Sequence, residues 1–273
     1  MVSSAHRRGE VKQAQLFVVV AVITICLAAA FIPGVRALVF RTYETAAFAI
    51  APSAERAYAY GERHFDALQP SFYNMERAEY FFREALARNS AMSFVRHELA
   101  RIAFLRGDFS QALSLIDAEI AAGPASPSSY YVRGLILGFM GRYDEAAESF
   151  ETFLRYSPTN WGGVNDYAWV LLKAGRPAEA LSAVEEVLPY WPENPWLLNS
   201  AAVAANDLGE YEKARMYAQR AVERVQTLTE EEWLKAYPGN DPRIAADGVN
   251  AFKEAVRATM HTILVASSQE ALQ

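Results

Sequence analysis

Residues 130–158 read YYVRGLILGFMGRYDEAAESFETFLRYSP, and the spacing of Gly, Ala and Pro within them recurs on either side. Gly107, Gly141, Gly175 and Gly209 lie 34 residues apart. Ala112, Ala146, Ala180 and Ala214 keep that step, as do Pro124, Pro158 and Pro192. Three residue types on one period define a repeating structural unit. Each type has a physical task. A glycine closes a first helix because no Cβ opposes a left-handed backbone. The alanine lets a second helix approach the first closely. The proline stops that second helix and sets the turn into the next unit.

The unit resembles the tetratricopeptide repeat (TPR), a helix–turn–helix of this length. The family pattern W-x2-L-G-x2-Y, A-x3-F, P is followed by Tyr130, Gly134, Leu137, Ala146, Phe150 and Pro158. Arg133 stands where the family prefers Leu. The resemblance implies an all-α fold, a right-handed solenoid of stacked helical hairpins. Regular copies are expected at 93–126, 127–160, 161–194 and 195–228. An irregular copy is expected at 54–92, where Ala78 precedes Ala112 by one period and Phe82 completes A-x3-F. With Tyr60-Gly61 in its Leu-Gly slot, the loop between its helices is about five residues longer than usual. In the last copy Gln226 replaces Pro and Ala218 replaces the aromatic, as expected where an array gives way to a cap.

The cap is expected at 229–266, before a frayed tail at 267–273. Thr229 and Glu232 make a capping box, and 238–242 is a Pro- and Gly-bearing turn. Phe252, Val256, Thr259, Met260, Ile263 and Leu264 then form an apolar stripe suited to covering the last repeat.

Before the repeats, no charge occurs between Lys12 and Arg36, and Leu16 to Ile32 is apolar apart from Thr24. About 19 residues of helix reach ~28 Å, close to the hydrocarbon thickness of a bilayer. A transmembrane helix or uncleaved signal anchor is therefore expected at 14–32, after a cytoplasmic tail at 1–13. Arg7, Arg8 and Lys12 on its amino-terminal side favour that end inside and the repeats in the periplasm or outside the cell. A cleavable signal peptide is the alternative, with Ala28-Ala29-Ala30 as its small-residue site. The apolar run continuing through Phe31 and Ile32 favours retention. A lipoprotein does not fit, because Ile25 before Cys26 is too large. Residues 33–53 form a juxtamembrane helix and linker. Val35, Leu38, Val39, Thr42, Tyr43, Ala46 and Ile50 share one face there, expected to pack on the first repeat or lie on the membrane.

The 273 residues carry a net charge of −6, which argues against a nucleic-acid partner. One cysteine, Cys26, leaves no intramolecular disulfide and no zinc site built on paired cysteines. His6, His64, His97 and His261 are scattered, and Arg101 stands where a second metal-binding histidine would follow His97-Glu98. No nucleophile motif, phosphate loop or dinucleotide fingerprint occurs, so no enzyme activity, cofactor or metal is expected. Glu230-Glu231-Glu232 fits the first turn of a helix.

The resemblance places recognition on the concave surface, lined by the first helix of each repeat. Its groove-facing slots are Phe94, His97, Arg101 and Phe104, then Tyr131 and Leu135. Asn165, Trp169 and neighbouring Lys173 follow, then Trp196, Asn199 and Asn206. Aromatic rings and side-chain amides in these slots suit a peptide ligand. The expected function is a membrane-tethered, non-enzymatic scaffold that binds a peptide or helix of an envelope protein during assembly of an envelope complex. Two alternatives remain open: a permanent structural subunit with the groove filled from within, and a soluble periplasmic protein after signal cleavage.

Overall fold

A computed structural model describes the backbone of residues 4–123 and 126–270, with the side chains of 4–16, 29 and 270 outside the described set. Pro124, the side chains of Arg7, Arg8 and Lys12, and the last three residues of the expected tail lie outside the described residues.

The chain opens with α1 (Ser4–Phe31) and α2 (Pro33–Ile50). Helical hairpins follow: α3 (Ala54–Phe65) with α4 (Met75–Arg88), and α5 (Val95–Leu105) with α6 (Phe109–Ala121). The next are α7 (Pro127–Phe139) with α8 (Tyr143–Tyr156), and α9 (Trp161–Lys173) with α10 (Pro177–Val187). The last hairpin is α11 (Pro195–Asp207) with α12 (Tyr211–Val225), and then come α13 (Glu230–Ala236), a 3-10 turn at Pro242–Ile244, and α14 (Ala245–Glu270). The described residues are helical and form an all-α solenoid.

The ladder residues act as their chemistry dictates. Gly107, Gly141, Gly175 and Gly209 have φ of 78°, 76°, 73° and 76°, where a Cβ would be strained. At each turn the following N–H reaches back to a helix carbonyl: Asp108 to Ala103 at 3.0 Å, and Arg142 to Leu137, Arg176 to Leu171 and Glu210 to Ala205 at 2.9 Å. Ala78, Ala112, Ala146, Ala180 and Ala214 are fully buried between paired helices. A Cβ on Gly134 would meet the Phe150 ring at 2.9 Å, and one on Gly61 would meet Phe82 at 2.5 Å. The α3–α4 hairpin therefore uses the same glycine-under-phenylalanine contact as the α7–α8 hairpin, despite its longer loop.

Two ends depart from the repeat. At Pro33 the chain bends by 119° between the apolar part of α1 and α2. Among the described residues no single helix is long and apolar enough to cross a membrane, though Phe17–Ala28 and Pro33–Ile50 together meet that length and composition. The α2 face expected to pack is not the one that does. Leu38, Tyr43 and Ile50 are exposed, while Ala37, Glu44 and Phe48 are buried. Glu44 decides this face, because its carboxylate meets Arg63 Nη1 at 2.5 Å and His64 Nε2 at 2.8 Å on α3. Burying a charge is costly unless it is paired, so the ion cluster outranks the apolar stripe in orienting the helix.

At the other end α14 packs on α12 and α11. Val249, Val256 and Ile263 are buried at seven-residue spacing, whereas Leu264 of the expected stripe is exposed. The turn between α13 and α14 does not stay with its own repeat. Tyr73 donates its hydroxyl to the Gly239 carbonyl at 2.7 Å, and Arg101 Nη2 donates to the Pro238 carbonyl at 2.9 Å. A closing loop thus ties the carboxy-terminal cap to the first two hairpins across the concave side.

Candidate functional site

The concave side holds a cavity of about 530 Å³. Its walls come from the first helices of successive repeats, α5, α7, α9 and α11, and its far side from α13, the closing loop and α14. Glycine shapes it: Trp169 lies where a Cβ on Gly138 would meet the ring at 2.6 Å. Phe104, Phe139 and Trp169 run on as a chain of ring contacts at 5.1 and 5.2 Å. Trp196 stacks on Phe252 of α14 at 4.9 Å, and its indole N–H donates to the Tyr237 hydroxyl at 2.9 Å.

A polar network runs through this aromatic wall. Tyr131 donates its hydroxyl to Asp166 Oδ2 at 2.6 Å, and Asn165 Nδ2 donates to Oδ1 at 3.1 Å. Ser200 donates in turn to Asn165 Oδ1 at 2.9 Å. Asn199 Oδ1 is buried without a hydrogen-bond partner. Burial pushes the Asp166 carboxyl up from 3.8 to about 6, and the bonds from Tyr131 and Asn165 offset it only in part. Burial likewise raises Tyr131 well above its ordinary value and Tyr237 to about 12. Arg101 lines the same cavity but makes its hydrogen bonds outside this network. Its Nη1 donates to Glu98 Oε2 at 2.7 Å, its Nη2 to the loop, and its guanidinium covers the Phe65 ring at 4.8 Å. Beneath it, burial raises Glu98 to about 7, against the lowering pull of Arg101.

Of the groove residues expected from the sequence, Arg101, Phe104, Tyr131, Leu135, Asn165, Trp169, Trp196 and Asn199 line the cavity. Phe94, His97, Lys173 and Asn206 do not. Phe94 takes a left-handed backbone, φ 68°, ahead of α5; its N–H donates to Glu119 Oε1 at 2.6 Å and its ring packs on His97. His97 is buried against Ser129 Oγ at 3.1 Å, and burial, then Arg101, lowers it to about 3, which keeps it neutral. Lys173 projects to solvent from the last turn of α9, and Asn206 lies six residues past Ser200, the last α11 residue to line the cavity. Trp196 is mostly covered by α14, so it is wall more than open surface.

Asp166, Phe139, Tyr237 and Phe252 are cavity residues that the slot rule missed. Asp166 falls one position beyond the Asn165 slot, and Phe139, the last residue of α7, lies four beyond Leu135. Tyr237 and Phe252 belong to the cap, whose path across the groove has no periodic signal. Among the described residues, no His, Cys, Asp and Glu side chains group to hold a metal ion.

Stacked helical hairpins with an aromatic cavity on their concave side define a helical-repeat solenoid. Residues 96–158, 131–195 and 165–228 each match the family model described as tetratricopeptide repeat, and the chain is a TPR protein. None of the curated protein sequences matches it. Among solved structures it is similar in fold to YrrB, described as a TPR protein with an unusual peptide-binding site. The TM-score is 0.55 at 18% identity, covering 67% of this chain and 93% of that one. It is also similar to MamA, with a TM-score of 0.54 at 14% identity, covering 63% and 92%.

Proposed function

We propose that this protein is a membrane-tethered, non-enzymatic scaffold that holds a peptide or helical segment of an envelope protein in its concave cavity. The observation that carries this reading is the aromatic cavity itself, assembled from four consecutive repeats and furnished with side-chain amides. Aromatic surface of this kind dominates binding hot spots. The peptide-binding site named for the similar YrrB structure supports the same use of the fold.

Tethering rests on the amino-terminal helices. Phe17, Val18, Leu27, Phe31 and Ile32 on the α1 side, and Leu38 and Tyr43 on α2, are exposed apolar side chains. Exposed apolar side chains in this number on two successive helices mark a contact with membrane or protein. The membrane passage is assigned to 14–32, with the repeats on the extracytoplasmic side. Anchoring would confine the cavity near the bilayer and raise its effective concentration for membrane-bound partners.

A photo-crosslinker at Leu135 in the cavity should capture the partner, and one at exposed Glu148 on α8 should not. Capture should be lost when Asn165, Trp169 and Asn199 are all changed to Ala in a folded protein. Unchanged capture sinks the groove reading. For topology, a reporter fused after Gln273 should be active only outside the cytoplasm, and a mature chain beginning near Phe31 would overturn the anchor.

A second reading is favoured by the closing loop, which bonds to Tyr73 and Arg101 and lies over the cavity. In it the groove is permanently filled from within, and the protein is a structural subunit held by its other surfaces. Capture from Glu148 but not from Leu135 would support this alternative.

A further inference from the structure

Arg101 and Asp166 are the charged residues among those that line the cavity. The charge of Arg101 is already spent on Glu98, the Pro238 carbonyl and the face of Phe65. Among the described residues no cation pairs with Asp166. Its two bonds come from a neutral phenol and a neutral amide, and a carboxylate offers about four acceptor sites. Asn199 adds a buried amide oxygen without a donor. Trp169 and Tyr237 present rings whose faces attract positive charge, most strongly where water is excluded.

We infer that the cavity holds a cationic side chain of its occupant, a lysine ammonium or arginine guanidinium, seated against Asp166 between the aromatic rings. This rests on the reading above that the cavity receives a segment of another protein, and it names the chemistry that the segment brings. An acidic side chain there would face Asp166 without a counter-charge. A purely apolar one would strip the remaining water from the carboxylate and give nothing in return. An ammonium or guanidinium supplies the missing charge, donates to the free acceptors and gains the ring faces.

The pH dependence follows from the neighbours. Tyr131 and Tyr237 stay neutral through the accessible range, being raised well above 10 and to about 12. His97, lowered to about 3, stays neutral. Asp166, pushed up to about 6, gains its charge as pH rises, so a cationic occupant binds more tightly above that value. Glu98 titrates near 7 under Arg101, and comparison with an Asp166 variant separates the two.

The test uses the full chain in detergent micelles with acetyl-Leu-Ala-X-Ala-Leu-amide, where X is lysine, norleucine or glutamate. Affinity is read from tryptophan fluorescence, and folding of each variant from its helical circular dichroism. At pH 7.5 the lysine peptide should bind about tenfold more tightly than the norleucine peptide, the glutamate peptide least. Asp166→Asn should erase the lysine advantage, and lowering the pH of the unmodified protein to 5 should shrink it. Equal binding of lysine and norleucine, preference for glutamate, or a lysine advantage that survives Asp166→Asn overturns the inference. Absence of binding by every peptide overturns it too. Crosslinking from Leu135 is scored separately, so a groove that captures a partner without favouring a cation leaves the scaffold reading standing.

Discussion

Glu44 and Asp166 are both carboxylates held inside the molecule, and their surroundings have opposite character. Glu44, fully buried on α2, is met by Arg63 and His64, with Arg77 Nη2 at 3.9 Å. Burial pushes its pKa up, yet the hydrogen bonds and charges of His64 and Arg63 together bring it below 4.5. Asp166 is met by neutral donors only and is pushed up to about 6. One site is complete within the chain and fixes where a helix docks. The other is left short of a charge at the wall of a cavity. A buried group saturated by its own fold is architecture, and one left unsatisfied beside a void points to a ligand.

The largest effect is expected at the saturated site. Glu44→Ala leaves Arg63 without its counter-charge and His64 without its hydrogen-bond partner and removes what orients α2, so it should cost on the order of 3 kcal/mol in urea unfolding. The sign of its pH dependence follows from the lowered pKa. The stabilisation is present above 4.5, the unfolded value, and is lost as pH falls through the folded one. A Glu44→Ala midpoint unchanged from the parent protein would dissolve the contrast, since Glu44 would then be as dispensable as any surface charge.

Asp166 should respond in the opposite sense and by less. Its folded value of about 6 lies above 3.8, so its contribution to stability is full below 3.8 and is lost as pH rises through about 6. Asp166→Asn keeps the hydroxyl bond from Tyr131 and removes the charge. At pH 7.5 it should therefore be more stable than the parent by on the order of 2 kcal/mol. At pH 4 the two should nearly coincide. Because Glu98 is raised in the same direction, the difference between variant and parent is the quantity that reads Asp166. A variant destabilised at pH 7.5 would show that the ionised carboxylate is structural, like Glu44.

The contrast also explains what could be read from the sequence. The glycine turns and buried alanines are set by steric rules that act within one hairpin, and repetition multiplies a weak signal until it is plain. The slot rule found Tyr131, Asn165, Trp169 and Asn199 for the same reason. It failed at Phe94 and His97, where the first regular repeat meets an irregular one and the chain enters α5 through a left-handed residue. Glu44 gave no periodic sign of being inward, because its partners are contributed by two other helices, α3 and α4. The apolar stripe of α2 pointed to packing on the first repeat, but most of its residues stay exposed and Glu44 docks a different face, since an ion pair formed at a distance in sequence leaves no trace in local hydropathy. The closing loop was legible as a turn but not in its destination, Tyr73, which lies 166 residues before Gly239.

The closing loop supplies the smallest test of the comparison. It contributes Tyr237, Pro238 and Asn240 to the cavity that Asp166 also lines, whereas Glu44 is buried by its own helix contacts. Tyr73→Phe removes the hydroxyl that bonds Gly239 and leaves the carbonyl to find water, at a cost of about 1 kcal/mol. Amide exchange at 237–241 should then quicken, with little change in α7–α10. As water reaches the cavity, the Asp166 carboxyl should titrate nearer its ordinary 3.8, measured through its side-chain carbon resonance, while Glu44 keeps its lowered value. If loosening the loop moves neither exchange nor titration, the dryness of Asp166 comes from the repeat helices alone. The loop would then be a brace between the first hairpins and the cap, with no influence on the charge balance of the cavity.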